Sequence, residues 1–239
     1  MKNVEISVVV CVYNEEDNIQ PLVKAIQNAL KGYEYELIYV DDGSTDRTLA
    51  ELRSVMFDRL KVIQLRRNYG QSQALMAGID AAQGTYIVTM DGDLQNDPTD
   101  IPAMVERSMD GDWDLVAGIR KNRKDHWLRT IPSKIANYII RRSSGVSIKD
   151  YGCTLKLFKR EIAKDLGLYG ELHRFIPVLA NLEGATITQM EVKHHERTHG
   201  VSKYGMGRTV KVISDLMLML FFKRYLKNPM HLFGNWGVM

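Results

Sequence analysis

Hydrophobic and polar positions change period repeatedly along the first half of this chain, and each change marks an element. "EISVVVCVY" is an unbroken apolar run, as expected of a strand covered on both faces in a parallel sheet. Ile19, Leu22, Val23, Ile26 and Leu30 then recur at helical spacing, predicting an amphipathic helix that Gly32 stops. "YELIYV" predicts a second strand, followed by "DDGSTD" and a helix through Leu49, Leu52 and Val55. "LKVIQLRRN" is a third strand, and "QSQALMAGIDAAQG" a helix of small residues ending at Gly84. "TYIVTMD" predicts a fourth strand, "PTDIPAMVERSMDG" a helix and "WDLVAGIR" a fifth strand. Four strand–helix units in succession predict an α/β fold, an open and mostly parallel sheet flanked by helices and joined by right-handed crossovers.

After Arg120 the rhythm breaks. A basic loop leads into a helix over "IPSKIANYIIRRSSG", and "KDYGCTLKLFKREIAKDL" reads as a strand or turn followed by a helix. "HRFIPVLANLEG" is helical, and "ATITQMEVKHHER" is a late strand. Between 208 and 226, apolar residues at 210, 213, 216, 217 and 220 form one stripe, predicting a C-terminal amphipathic helical extension. The expected division is a main domain over 1–205 and the extension over 206–239. No apolar run reaches the roughly 18 residues that a membrane-spanning helix needs. The N-terminus reads as a strand and not as a signal peptide.

Net charge is only +3 and says little about partners; its distribution says more. From Arg120 to Arg142, Lys or Arg stands at 120, 121, 123, 124, 129, 134, 141 and 142 against the single acid Asp125. A second basic set, Lys203, Arg208, Lys211, Lys223, Arg224 and Lys227, faces Asp215. Trp127 and Tyr138 are the only aromatics in the first basic stretch, which argues against nucleic acid as its partner. Capture of a phosphate and attraction to an anionic membrane surface fit better, at about 1 kcal/mol per basic residue near such a surface. Cys11 and Cys153 make neither a disulfide framework nor a metal spacing, and are expected to be small buried apolar groups in a reduced setting. His194 and His195 alternate along a strand and so point to opposite faces, which with His199 argues against zinc.

Candidate chemistry collects where the strands end. Asn14, Glu15 and Glu16 follow the first strand, Asp41 and Asp42 the second, and Asp91, Gly92 and Asp93 the fourth. Ligands of open parallel sheets sit beyond these carboxyl ends. Three acidic ends on one rim would repel one another unless cations or sugar hydroxyls occupied it. Turn formation alone explains one Asp and one Gly of "DGDLQ", but not oxygen side chains at 91, 93 and 95. In extended chain those three share a face, which is the pattern for a hard divalent cation, Mg²⁺ or Mn²⁺. No GxGxxG follows the first strand and no GxxxxGK[ST] occurs, so the glycine cradles for dinucleotides and P-loop phosphates are missing. A nucleoside diphosphate held through its metal suits such a rim.

Taken in order, "VVVCVYNEEDNI", "VDDGSTDRT", "RRNYGQSQALMAGIDAAQG" and "MDGDLQNDP" resemble the signature of family 2 inverting glycosyltransferases of the GT-A fold. "DYGCTLKLFKRE" and "HHERTHGVSKY" narrow the resemblance to the polyprenyl-phosphate glycosyltransferases, the group of dolichol-phosphate mannose synthase and its undecaprenyl-phosphate relatives. Processive synthases share the first half but carry "QxxRW", absent from this chain. The resemblance implies transfer of a hexose from a UDP- or GDP-sugar to undecaprenyl or dolichyl phosphate. Tyr13, Asn14, Glu15, Asp41, Asp42 and Gly92 would bind the nucleotide sugar. Asp91 would contact the donor and share the metal with Asp93 and Gln95, and Arg120, Arg129, Lys134, Arg197 and Lys203 would surround the acceptor phosphate, away from the acidic rim. Asp150 falls where the family is assigned a catalytic base. A phosphate monoester is mostly dianionic at neutral pH, so Asp150 is equally read as the orienter of the arginines. The family also implies membrane anchors after "NPMHLFG" and work at the cytoplasmic face of the membrane. The stripe at 208–226, with Lys211, Lys223, Arg224 and Lys227 beside it, is expected to lie in the membrane interface, with packing on the domain core or on a partner subunit of a homo-oligomer as the rival. Against the lipid-linked reading stand a soluble sugar or protein acceptor and a non-catalytic nucleotide-binding module. An intact "DGDLQ" disfavours the latter.

Overall fold

The computed structural model describes residues 5–120 and 146–197. Its strands are β1 (Ile6–Val12), β2 (Tyr35–Asp41), β3 (Leu60–Gln64), β4 (Tyr86–Asp91), β5 (Leu115–Arg120), β6 (Lys156–Lys159) and β7 (Ile187–Val192). The helices are α1 (Ile19–Ala29), α2 (Thr48–Ser54), α3 (Gln71–Ala81), α4 (Ile101–Asp110), α5 (Arg160–Asp165) and α6 (Ile176–Leu182), with short 3-10 turns before α1, α4 and α6. The predicted helix over 131–145 and the extension over 206–239 lie outside the described residues.

All seven strands form one sheet in the order β3-β2-β1-β4-β6-β5-β7. Only β6 runs antiparallel to its neighbours β4 and β5, so the other six point the same way. The expected open, mostly parallel sheet is therefore present, with one reversed strand wedged into it.

Because strand side chains alternate, each strand feeds two cores. Ile6, Val8, Val10 and Val12 of β1 join Leu22 and Ile26 of α1 and Met104 and Val105 of α4 on one face. Val9 joins Ile38, Val40, Leu75 and Ile79, together with α5 and α6, on the other. Both faces of β1 are buried, which is why its sequence is continuously apolar instead of alternating. Each such side chain fully removed from water contributes about 1.5–3 kcal/mol.

Register fixes the rim. Val12 of β1 lies level with Asp41 of β2, and Cys11 lies level with Asp91 of β4. The acids that end three separate strands thus share one edge of the sheet. The carboxyl end of β5, at Arg120, opens on the same edge.

Candidate active site

The rim is built from the turns after β1, β2 and β4 and from the end of β5. After β1, Asn14 takes a left-handed conformation (φ 52), which its short amide side chain tolerates. Its backbone N–H donates to Ser44 Oγ at 2.9 Å, and its side-chain oxygen accepts from Thr45 N at 2.8 Å. These bonds tie the turn after β1 to the turn after β2. Glu15, buried, has its own N–H on Thr48 Oγ1 (2.8 Å) and accepts from Asn18 Nδ2 (2.6 Å).

After β2, Asp41 accepts from Ser44 N (2.9 Å) through one oxygen, while its buried Oδ2 has no hydrogen-bond partner among the described residues. Both oxygens of Asp42 accept backbone N–H groups, from Tyr69 (2.8 Å) and Gly70 (2.9 Å), so this carboxylate braces the loop entering α3. Burial raises its pKa; those N–H bonds oppose the rise and the charge of Asp41 adds to it. Gly43, the next residue, adopts φ +73, and a Cβ there would lie 2.5 Å from the carbonyl carbon of Arg67. Gly43→Ala is expected to lose about 2–3 kcal/mol through conformational strain and overlap together. An unchanged urea midpoint would refute this.

After β4 the chain does not stay extended. The strand ends at Asp91, and Leu94 is left-handed (φ 61). Gln95 is therefore reached around a turn, with its N–H on Asp93 Oδ1 at 3.2 Å and its side-chain Nε2 donating to the His195 carbonyl at 3.4 Å. The same-face argument for 91, 93 and 95 thus fails beyond Asp91, because a strand's two-residue period ends with the strand. Gly92 packs where a Cβ would come within 2.4 Å of Val12 Cγ1, so this turn lies flush against β1. Burial first, and then the neighbouring charge of Asp93, push the Asp91 carboxyl well above the usual carboxylate range.

At the end of β5, Arg120 presents its guanidinium to Asp150, Nε at 2.7 Å from Oδ2 and Nη2 at 2.8 Å from Oδ1. Asp150 also accepts the N–H of Gly152 at 3.1 Å. Arg120 and Asp150 side chains are only 14% and 11% exposed, so this forked pair is a largely desolvated one.

Comparison with known proteins fits this geometry. The description "Glycosyl transferase family 2" matches residues 7–167. The chain is 49% identical, over its whole length, to dodecaprenyl-phosphate galacturonate synthase of Rhizobium johnstonii, of which it covers 73%. It belongs to glycosyl transferase family 2. Undecaprenyl-phosphate 4-deoxy-4-formamido-L-arabinose transferase of Edwardsiella ictaluri is 40% identical over 90% of this chain and 67% of that protein. Glucosyl-3-phosphoglycerate synthase of Mycobacterium tuberculosis, solved with Mn²⁺ and UDP-glucose, shares the fold at a TM-score of 0.68 and 18% identity, over 92% of this chain and 79% of that one. The protein is accordingly a glycosyltransferase of GT-A architecture.

In this family 2 glycosyltransferase, the rim gathers Tyr13, Asn14, Glu15, Asp41, Asp42, Asp91, Gly92, Asp93 and Gln95 at one sheet edge, and Arg120 with Asp150 beside them. Arg129, Lys134, Lys203 and His199 lie outside the described residues. One expectation is corrected. Arg197 does not stand away from the acidic rim: its Nη2 is 2.6 Å from Asp93 Oδ2 and its Nη1 is 3.3 Å from Glu15 Oε1. The cause is the chain's return after β7, where Asn96 pairs with His194 and His195 N donates to Gln95 O (2.8 Å), lacing this segment along the "LQN" turn.

Two residues escaped the sequence reading. Gln71, first residue of α3, donates to Asp91 Oδ1 at 2.7 Å. Lys156 is buried within β6, its ammonium donating to the Cys153 carbonyl, and its charge acts on Asp91 and Asp150 alike. Burial lowers its pKa, against the attraction of those acids. A lysine inside the apolar "TLKLF" was the signal for it: a charge at a strand-interior position has to face a partner.

The residues present fit a divalent cation. Asp91 and Asp93 repel each other, Asp41 keeps an unused buried oxygen, and all the donors are hard oxygens. Among the described residues no group of three or more His, Cys, Asp or Glu closes around one point. Mg²⁺ and Mn²⁺ take one or two carboxylates from protein and the rest of their ligands from substrate phosphates and water.

Proposed function

We propose that this glycosyltransferase moves a sugar from a nucleotide-sugar donor to polyprenyl phosphate, with inversion at the anomeric carbon. The observation that supports it most is the meeting of carboxylates from three strand ends with the Arg120 fork at one sheet edge. A rim of carboxylates takes a diphosphate only when a cation bridges them, whereas a guanidinium takes a phosphate directly. Polyprenyl phosphate is the element common to the names of the two relatives, whose sugars differ.

In this reading Tyr13, Asn14, Glu15, Asp41, Asp42 and Gly92 hold the nucleotide sugar. Asp91, Asp93 and Gln95 would hold Mg²⁺ or Mn²⁺, which supplies Lewis-acid charge to the leaving diphosphate. Arg120, with Arg129, Lys134 and Lys203, clamps the acceptor phosphate so that one oxygen faces the anomeric carbon opposite the leaving group. That oxygen carries no proton over most of the neutral range, so orientation is what the protein must provide. Asp150, with both oxygens on the Arg120 fork, serves as the orienter. A polyprenyl tail keeps the acceptor in the bilayer, so the enzyme works at a membrane face, the cytoplasmic one, with basic residues toward anionic headgroups.

The test is a transfer assay across UDP- and GDP-sugars with Mn²⁺ or Mg²⁺, offering polyprenyl phosphate in detergent and soluble sugars in parallel. A lipid-linked product of inverted anomeric configuration is expected with one donor. Equal transfer to soluble acceptors would overturn the lipid reading.

A further inference from the structure

Arg197 occupies a position that a divalent cation would contest. Its guanidinium bridges two carboxylates from different turns, Asp93 after β4 and Glu15 after β1, at 2.6 and 3.3 Å. Both acids are buried, and the arginine side chain is 20% exposed. Both oxygens of Asp93 are already engaged, Oδ1 by Gln95 N and Oδ2 by Arg197. A metal ion binding at Asp93 competes with these donors for its remaining lone pairs.

The Gln95 bond is made within the turn itself, two residues away. Arg197 comes from 104 residues away, on a segment that is laced to the rim by backbone bonds at His194 and His195. Its long side chain can therefore swing out while its backbone stays in place. Coexistence is disfavoured, because a doubly charged ion set beside a guanidinium a few ångströms off is repelled in so dry a site. Exchange is the lower-energy outcome.

We propose that Arg197 is a resident counter-cation: it neutralises Asp93 and Glu15 in the empty enzyme and yields Asp93 to the divalent metal. The inference rests on the reading of Asp93 as a metal ligand. Once displaced from Asp93, the guanidinium keeps Glu15 alone, and the phosphates brought by substrate provide a second anion. Metal alone then binds weakly, because Arg197 loses one of its two anions with nothing in return. Metal arriving with a diphosphate binds well, because the diphosphate re-pairs the arginine. Arg197 is in this sense a positioning residue that couples metal to phosphate.

The coupling is measurable without turnover. Mn²⁺ alone is titrated into purified protein and the free ion read by electron paramagnetic resonance, for wild type, Arg197→Gln and Asp93→Asn. Arg197→Gln is expected to bind Mn²⁺ about tenfold more tightly than wild type, in the range of ordinary site–site coupling. Unchanged or weaker affinity overturns the exchange. Should Arg197→Gln fail to fold, Arg197→Lys decides. Losing the fork that spans both carboxylates, it should bind Mn²⁺ about threefold more tightly, and unchanged affinity overturns the proposal. If Asp93→Asn abolishes Mn²⁺ binding while the Arg197 variants match wild type, the metal reading stands and the exchange alone falls. If Asp93→Asn leaves binding untouched, or wild type and variants all fail to bind Mn²⁺, both fall.

Discussion

Asp93→Ala is expected to cut sugar transfer by about three orders of magnitude while the protein stays folded, because Lewis-acid help to a leaving diphosphate is worth several kcal/mol. Asp93 sits in the turn beyond β4, outside both hydrophobic cores, so its loss removes the Arg197 pair and the Gln95 N–H bond but no apolar packing, and Glu15 keeps Arg197 paired. Circular dichroism melts should move by only a few degrees, and the loss should persist at saturating donor. Raising Mn²⁺ should not restore the rate. Excess EDTA should silence wild type as thoroughly as the substitution does. Full activity in EDTA, or a near-wild-type rate for Asp93→Ala, would remove the metal from the reaction.

Asp150→Asn is the second large effect, and it should appear in stability and catalysis together. The amide replaces one acceptor oxygen by an NH₂ group facing guanidinium N–H donors, in a pair whose side chains are 14% and 11% exposed. Breaking a buried pair in this way costs about 3–5 kcal/mol. For a domain of this size that corresponds to a drop of about 10 °C in melting temperature. Transfer, assayed well below that temperature, should fall by about a hundredfold because Arg120 is no longer aimed. The pH profile separates the two roles. An orienting carboxylate gives a loss that is roughly constant between pH 6 and 9, where a phosphate monoester is mostly dianionic. A general base would instead give wild type a steep pH dependence that the variant lacks. Arg120→Lys should lose transfer to a similar extent, since a point charge cannot replace the fork. A wild-type rate at every pH in Asp150→Asn would take the pair out of the mechanism.

Much of this architecture is legible from local pattern. Mainly apolar runs at β1, β2 and β4 mark strands buried on both faces, because a parallel strand covered twice has no side facing water. Strand–helix–strand units that return each strand in parallel bring every such strand's carboxyl end to one edge. Glu15, Asp41, Asp42, Asp91 and Asp93 therefore share a rim, and Val12 does lie level with Asp41 and Cys11 with Asp91. The acidic edge followed from the alternation of strands and helices alone, without any long-range contact being known.

What the tertiary structure alone decided concerns contacts between distant segments. Strand β6 enters between β4 and β5 in reverse, a choice made by pairing energy across some 65 residues of chain to which local periodicity is blind. That placement buries Lys156, whose charge acts on both Asp91 and Asp150. Leu94 is left-handed although nothing marks leucine for that conformation, in a turn whose Gly92 lies against Val12, and the expected alignment of Gln95 with Asp93 ends there. Arg197 meets Asp93 and Glu15 only because β7 pairs with β5 and the segment beyond it is laced to the 95–96 turn. Residue type and spacing determined which groups this protein has for its chemistry and which edge they occupy, since both follow from backbone periodicity and the alternation of strands and helices. Which cation faces which carboxylate was left to the folded chain, because electrostatic partners are chosen by proximity in space and not by separation in sequence.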